Sequence, residues 1–296
     1  MARSHPPTLL TLTRRTLLEE CAVQRGEHLL VAVSGGGDSM ALLHVLVRLG
    51  QRHGFRISAH GVDHGLRPAA RAELDIAEQL ARTLAVGFTR SDVVVTPGGN
   101  LQARARTARY AALRSAAKSL DCSRIATAHH ADDRAETVLM RLLRGTSPTG
   151  LSVLPAWAGD LIRPCIRARR ADIRAHLSRH SVPHVEDPSN ANPRFLRTRV
   201  RHELLPLLEQ LSPGIVGNLT SLADEIGAGP AIELKDEHGQ PVSLGRAQRY
   251  AVRRLLAGGS SAARIRIGAD AEITLDMETG RLDVRSTSRM GPNASR

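Results

Sequence analysis

Two rhythms of apolar residues alternate through the first half of the chain. Leu29 to Val33 is a short run rich in valine, and Ala41, Leu42, Val45, Leu46 and Leu49 follow at the three- and four-residue spacing of one helix face. The same alternation predicts a strand over Arg56 to Val62, a helix over Ala70 to Ala85 and a strand over Val93 to Val95. A turn at 97–100, a long arginine-studded helix over Leu101 to Leu120 and a strand over Arg124 to Ala128 come next. Strands alternating with helices predict an α/β fold, a doubly wound and mostly parallel sheet with helices on both faces. In such sheets ligands bind beyond the carboxyl ends of the strands. Three polar clusters, at 34–39, 63–67 and 129–136, each follow a predicted strand and are expected to converge on that edge.

From Pro155 onward loops and helices replace the alternation. The pattern predicts a helix from Arg169 to His180, a turn over 186–193, an arginine-bearing helix from Phe195 that Pro206 is expected to break, and a helix from Ile215 to Ile226. Glu272 to Val284 reads as a β-hairpin around Glu278-Thr279-Gly280. The expected organisation is a catalytic α/β domain over 1–211, a small C-terminal α+β region over 212–284 and a disordered tail over 285–296, with no internal repeat.

Composition narrows the class. No apolar run approaches a membrane span of ~18 residues, and the first twenty residues lack the continuous apolar core of a secretory signal. Cys21, Cys122 and Cys165 are odd in number and far apart, which fits neither a disulfide framework nor a CxxC pair and implies a reducing cytoplasm. The net charge of +12 points to a polyanionic partner, although 39 of the 41 basic residues are arginine, a bias that genome base composition also produces. One Trp, two Tyr and three Phe are too few for a base-stacking platform.

Candidate chemistry concentrates in two of the polar clusters. Ser34, Gly35, Gly36 and Gly37 let the backbone approach a ligand without Cβ interference, and Asp38 and Ser39 open a helix whose free N–H groups attract anions. The common nucleoside-triphosphate loop has a lysine after its last glycine, and here an aspartate stands instead. A carboxylate among phosphates requires a cation between them, so Asp38 implies Mg²⁺, whereas the plain alternative makes Asp38 and Ser39 helix caps. In HHADDRAET, His129 to Thr137, Asp133 and Glu136 have the spacing of a capping box, which leaves His129, His130 and Asp132 as site candidates. The pairs His60/His64 and His176/His180 have zinc-ligand spacing, but the first lies on a strand and the second lacks a third ligand nearby in sequence, so both are assigned structural roles. Arg104, Arg106, Arg109 and Arg114 decorate one helix, and Arg194, Arg197, Arg199 and Arg201 another. Both sets suit phosphate contacts as well as solvated faces.

Together these motifs resemble the tRNA(Ile)-lysidine synthetases of the PP-loop ATP pyrophosphatase superfamily. The resemblance runs from Leu29 to Leu208 and rests on SGGGDS at 34–39, VDHGLR at 62–67, NLQARARTARYAAL at 100–113, TAHHADDRAETVLMRLLRGTSPTGLSVL at 127–154, RPCI at 163–166 and EDPSNANPRFLRTRVRHELLPLL at 186–208. It implies ATP-dependent joining of free L-lysine to C2 of the wobble cytidine in the CAU anticodon of tRNA(Ile), through an adenylated base. On that reading Ser34 to Ser39 hold ATP, Asp38 positions Mg²⁺, and Asp133, with Asp132 and Glu136, binds metal or the lysine amine. Arg104, Arg109, Arg194, Arg197 and Arg201 contact tRNA. A homodimer is left open. Arg134 stands where the family pattern has glutamine, and Thr198 where it has asparagine. Longer members carry a further tRNA-binding domain, so either a short-form member or tRNA selection by residues before 296 is expected. A thiolase of the same superfamily is disfavoured by the isolated cysteines, and a non-catalytic nucleotide-binding regulator is the alternative from another class.

Overall fold

A computed structural model describes residues 7–63, 65, 69–94, 99, 101–186 and 195–228, together with 234–235, 241–242, 244, 248, 252, 264–267, 271–275 and 282–286. The chain divides into two compact units, Met1–Gly227 and Ala228–Arg296.

In the first unit α1 (Leu9–Arg15) runs into a π-helical turn (Thr16–Glu20) before β1 (His28–Val33). Then come α2 (Gly37–His53), β2 (Arg56–Asp63), α3 (Ala69–Thr83), β3 (Gly87–Asp92), α4 (Leu101–Ser119), β4 (Arg124–Ala126) and α5 (Ala131–Arg144). The hairpin of β5 (Trp157–Ala158) and β6 (Leu161–Ile162) leads to α6 (Arg170–Arg179). The unit closes with α7 (Leu196–Arg199), a second π turn (Val200–Leu204), α8 (Leu205–Leu211) and α9 (Ile215–Gly227).

The strands form one sheet in the order β3-β2-β1-β4-β6-β5, parallel except for the β5–β6 pair. The period of two along β1 fixes its faces. Leu29, Val31 and Val33 join a core with α1, α2, α3 and α6, whereas Leu30 and Ala32 face α4 with Leu113 and Ile125. Helices therefore cover both faces, as the sequence pattern predicts. The chain leaves β1 toward β2 on one side and returns with β4 on the other, so the order switches between β1 and β4. Ligands of open α/β sheets bind at such a point.

Three expectations change. The third strand is Gly87–Asp92 rather than a run from Val93, Val94 is 92% exposed, and Val95 lies outside the described residues. β3 pairs only with β2 and holds it through polar groups, Thr89 and Ser91 each bonding the buried His60 at 2.7 and 3.0 Å, so no apolar run marks it. Pro206 does not break the arginine-bearing helix. The π turn before it, in which the Leu205 amide reaches back to the Val200 carbonyl, lets the helical path continue into α8 with the proline in its first turn. The boundary between units falls after Gly227, not after 211, because α9 packs Val216, Leu219 and Ala223 against Ala135, Val138 and Leu139 of α5.

Charge also ties α9 into the first unit. Arg134 is buried on α5, donating from Nη1 to Asp224 Oδ1 of α9 at 2.6 Å and from Nε to the Val153 carbonyl at 2.8 Å. Arg167 holds the other Asp224 oxygen and both oxygens of Glu20 in the first π turn. Arg134, at a position where the sequence departs from the family pattern, thus brings its own counter-ion.

In the second unit β9 (Arg264–Ile267), β10 (Ala271–Leu275) and β11 (Leu282–Ser286) form an antiparallel sheet, and β7 (Leu234–Lys235) pairs with β8 (Pro241–Val242). Val252, Ile273 and Val284 make its core. The expected hairpin is β10–β11. Its turn lies outside the described residues, and of the tail expected over 285–296 Arg285 and Ser286 instead belong to β11 while 287–296 lie outside the described residues.

Asp224→Ala leaves the Arg134 guanidinium buried without its counter-ion and is expected to lower unfolding free energy by about 3–5 kcal/mol. Urea denaturation checks this, and a loss below ~1 kcal/mol would show the Asp224 contacts to be dispensable.

Candidate active site

The glycine loop is shaped by its neighbours. Gly35 has φ +78°, and a Cβ there would stand 2.4 Å from the Glu73 carbonyl oxygen of α3. Both conditions require glycine. The Gly35 carbonyl accepts the Val185 amide at 2.9 Å, and Gly36 caps α2 in an extended conformation. Ser39 turns inward, its Oγ donating to the Gly36 carbonyl at 2.9 Å and accepting the Ser34 amide at 3.1 Å. The hydroxyl expected to face a phosphate thus closes the loop from within. Asp38 lies outside this knot with its side chain half exposed.

α5 starts beside the loop at the end of β4. Its cap is His130, three residues earlier than the Asp133–Glu136 spacing implies. The His130 amide donates to Asp133 Oδ2 at 3.1 Å, and the Asp133 amide approaches His130 Nδ1 at 3.4 Å. Asp133 is therefore the third helical residue, not the cap, and Glu136 belongs to another network. That network consists of three buried carboxylates and four arginines. Asp132 accepts both Nε and Nη2 of Arg169, at 3.2 and 3.1 Å, and the backbone amide of Arg170 at 2.8 Å. Glu136, fully buried, accepts Arg170 Nη2 at 2.9 Å, Arg197 Nε at 2.9 Å, and Arg201 Nε and Nη2 at 2.7 and 3.0 Å. Asp133 Oδ1 takes Arg197 Nη2 at 2.9 Å and Arg201 Nη2 at 3.4 Å.

Arg197 and Arg201, expected to contact tRNA, both pair with Glu136 and Asp133, Arg201 largely buried and Arg197 still 43% exposed. Arg197 lies in α7 and Arg201 in the π turn that follows it, and both reach Glu136. Arg194 lies outside the described residues, as do His64, Leu66 and Arg67 of the 63–67 cluster. Asp63 of that cluster accepts the Gly65 amide at 2.9 Å and does not join the carboxylate row.

His130 links the loop to the row. Its Nε2 is buried without a hydrogen bond among the described residues and lies 3.7 Å from Asp38 Oδ2 and 3.4 Å from Asp133 Oδ2. Burial opposes a charge on His130, but Asp133, Asp132 and Asp38 outweigh it and push the imidazole up to about 9. Burial likewise opposes the charge on Asp38, and His130, Arg170 and Arg201 hold its carboxyl below the usual range. Asp132 is held low by His130 and Arg169 against its burial. Asp133 is held low by His130 and Arg197 against the same penalty.

A second set of cations gathers on α4. Burial, joined by Arg163, Arg106 and Arg109 and opposed by Asp133, pushes His129 down to about 3. Arg109 is lowered by burial and by Arg106. Nε and Nη2 of Arg104 and Nε of Arg163 are buried without hydrogen-bond partners among the described residues. Such orphaned donors fit an anionic ligand. Arg106 instead donates to Tyr110 Oη at 3.2 Å, and Arg114 forks onto Asp160 at 2.6 and 3.2 Å.

No three His, Cys, Asp or Glu among the described residues form a ready metal cage. Mg²⁺ does not need one, since it keeps several waters and binds through one or two carboxylates plus substrate phosphates. Half-exposed Asp38 at a helix start fits that role. Nothing in the sequence singles out Arg169 or Arg170 as a partner of these carboxylates, and Arg163 stands out only as the first residue of RPCI. Three carboxylates within five residues, 132–136, did signal that cations must come from elsewhere.

With this geometry in place, comparison with known proteins identifies the class. Residues 10–208 match the PP-loop domain model, and the chain belongs to that family. It is 37% identical over 198 residues to a tRNA(Ile)-lysidine synthase of Thermotoga maritima, covering 65% of this chain and 48% of that protein. It is 41% identical over 206 residues to the enzyme of that name from Aromatoleum aromaticum, covering 68% and 48%, and 39% identical over 203 residues to that of Leifsonia xyli subsp. xyli, covering 68% and 61%. The chain spans about half the length of the first two. Among solved structures a U34-tRNA thiolase, NcsA from Methanococcus maripaludis, shares the fold, with a TM-score of 0.63 at 15% identity over 83% of this chain and 88% of that one.

Glu136→Gln removes the charge that gathers Arg170, Arg197 and Arg201. We expect trypsin to cleave after Arg197 and Arg199 at least ~10-fold faster in this variant, because α7 loses its anchor and opens locally. Unchanged cleavage would show that α7 is held by other contacts.

Proposed function

We propose that this protein joins free L-lysine to C2 of the wobble cytidine in the CAU anticodon of tRNA(Ile), at the expense of ATP. The observation that carries the proposal is the convergence of the Asp38 loop and the Asp133 carboxylate on His130, at the sheet's switch point. The curated relatives' shared name supports it. In the first step the C2 oxygen of the base attacks the α-phosphorus of ATP and pyrophosphate leaves. In the second the ε-amine of lysine attacks C2, and the oxygen departs with AMP.

The chain's own groups divide this work. Loop 34–38 and the start of α2 receive the polyphosphate. When bound at Asp38, Mg²⁺ would offset the charge of that polyphosphate. Asp133 orients the lysine ammonium. Asp132 and Glu136, saturated by arginines, hold α5, α6 and α7 in register rather than touching substrate, which narrows the three-carboxylate expectation to one. Arg104 and Arg109, as the sequence leads one to expect, and with them Arg163, take the tRNA backbone beside the reacting base. Sulfur transfer finds no support in the thiols. Burial pushes Cys21 and Cys165 up to about 12 and Cys122 to about 11.

Incorporation of labelled lysine into a tRNA(Ile) transcript, with and without ATP, tests the activity directly. No incorporation by folded protein that binds ATP would favour a nucleotide-binding regulator. Asp133→Asn retains an oxygen for the His130 amide but loses the charge, so incorporation is expected to fall on the order of 10²-fold, about 2.7 kcal/mol of transition-state stabilisation. Near-normal lysine transfer by this variant would leave Asp133 a capping residue.

Arg109→Ala should weaken tRNA binding and reduce the slope of log affinity against log salt by about one. Filter binding at several salt concentrations measures this. An unchanged slope would exclude a phosphate contact at Arg109.

A further inference from the structure

Away from the proposed site, three histidines meet between α2 and α6. His44 Nδ1 and His176 Nε2 lie 2.9 Å apart, and the His180 ring centroid is 5.1 Å from that of His44 and 4.5 Å from that of His176. Sequence spacing pairs His176 with His180 and gives no hint of His44. The contacts set a limit on protons. One nitrogen of the His44–His176 bond must be an unprotonated acceptor, and Arg48 Nη1, 3.5 Å from His180 Nδ1, also requires a lone pair there. The main other charges acting on the cluster are cations, Arg48 from α2 and Arg179 from α6, while Asp172, one turn before His176 on α6, is committed to the Arg169 amide at 2.8 Å.

The two helices joined here carry the two halves of the candidate site. α2 begins at the glycine loop, and α6 begins with the Arg170 amide on Asp132, preceded by Arg169. Leu177 of α6 also lies under the loop, with its Cδ1 3.0 Å from where a Cβ on Gly37 would stand. We propose that the His44–His176–His180 cluster is an acid-sensitive latch, which keeps α2 and α6 together while its imidazoles are uncharged and loosens them when it takes up protons.

The sign follows from linkage. Burial, with His44, His180, Arg48 and Arg179 adding to it, pushes His176 down from 6.5 to about 4. Above 6.5 both folded and unfolded forms are neutral and nothing is lost. As pH falls from 6.5 toward 4 the open form binds the proton more readily, so the closed packing is progressively disfavoured. His44 and His180 are lowered in the same direction.

Hydrogen exchange of the full chain at pH 7.5 and 5.5, corrected for intrinsic rates, tests the latch without ATP or tRNA. Peptides covering 37–53 and 170–180 are expected to exchange about tenfold faster at pH 5.5, while α4, on the opposite sheet face, stays unchanged. In the variant carrying His44→Gln and His176→Gln the acceleration should disappear. Equal corrected rates at both pH values in the wild type, or an acceleration that persists in the variant, would overturn the proposal. If that double variant does not fold, His180→Gln, at an exposed ring, serves instead. A reduced acceleration supports the latch, and a full one overturns it.

Discussion

The first unit depends on the neutralisation of three carboxylates that α5 carries into its interior. An ionised carboxylate buried without partners costs several kcal/mol, and a partly satisfied network is worse than none. Asp132, Asp133 and Glu136 therefore constrain everything that supplies their counter-charges. Arg169 and Arg170 come from the start of α6, Arg197 from α7, and Arg201 from the π turn that follows. None of these elements can shift by a residue without stranding a charge. The same constraint accounts for the shape of the chain around Pro206, where a widened turn preserves the helical path that presents Arg197 and Arg201 to one glutamate.

A smaller network repeats the principle one residue along α5. Asp132 and Asp133 look toward the sheet edge and the arginine helices, while Arg134 looks toward α9. There its charge is met by Asp224, which Arg167 shares with Glu20. The helix start is thus held from both sides by ion pairs, those to Asp224 well buried and so little screened. This explains why α9 belongs with the first unit and how a buried arginine is accommodated at 134. Its counter-ion lies within the same compact body.

Much of this was legible in the sequence, and the parts that were not have definite causes. β1, the glycine loop and α2 declare themselves because a buried parallel strand is a continuous apolar run and a φ of +78° under α3 admits only glycine. β3 leaves no such mark, since an edge strand held by Thr89, Ser91 and His60 needs no apolar alternation. The helix cap was misplaced by three residues because spacing rules look for Asp or Ser, and an imidazole in that role is rare. The arginines were the largest difference. Sequence gives the sign of a charge and not the direction in which its side chain points, so it does not show that Arg201 is largely buried against Glu136 or that Arg197, though 43% exposed, is committed to Glu136 and Asp133. What decided their direction, three carboxylates with no basic residue but Arg134 among them, was present in the same sequence at 132–136.

A site so fully paired still has room for chemistry, because its pairing is uneven. Asp132 and Glu136 have their oxygens committed to several donors each, whereas Asp38 is half exposed and has only His130, at 3.7 Å, as an ion-pair partner among the described residues. Asp133 is intermediate, shared between a helix cap, the imidazole and two guanidinium groups. On the proposed reading, this gradation separates scaffold from reactant-facing groups within one cluster. Charges already fixed by their neighbours need not reorganise when a polyphosphate or an ammonium arrives, and that is the condition under which buried electrostatics favours a transition state over a ground state. Arg170 and Arg201 help to keep Asp38 ionised, and Arg197 does the same for Asp133.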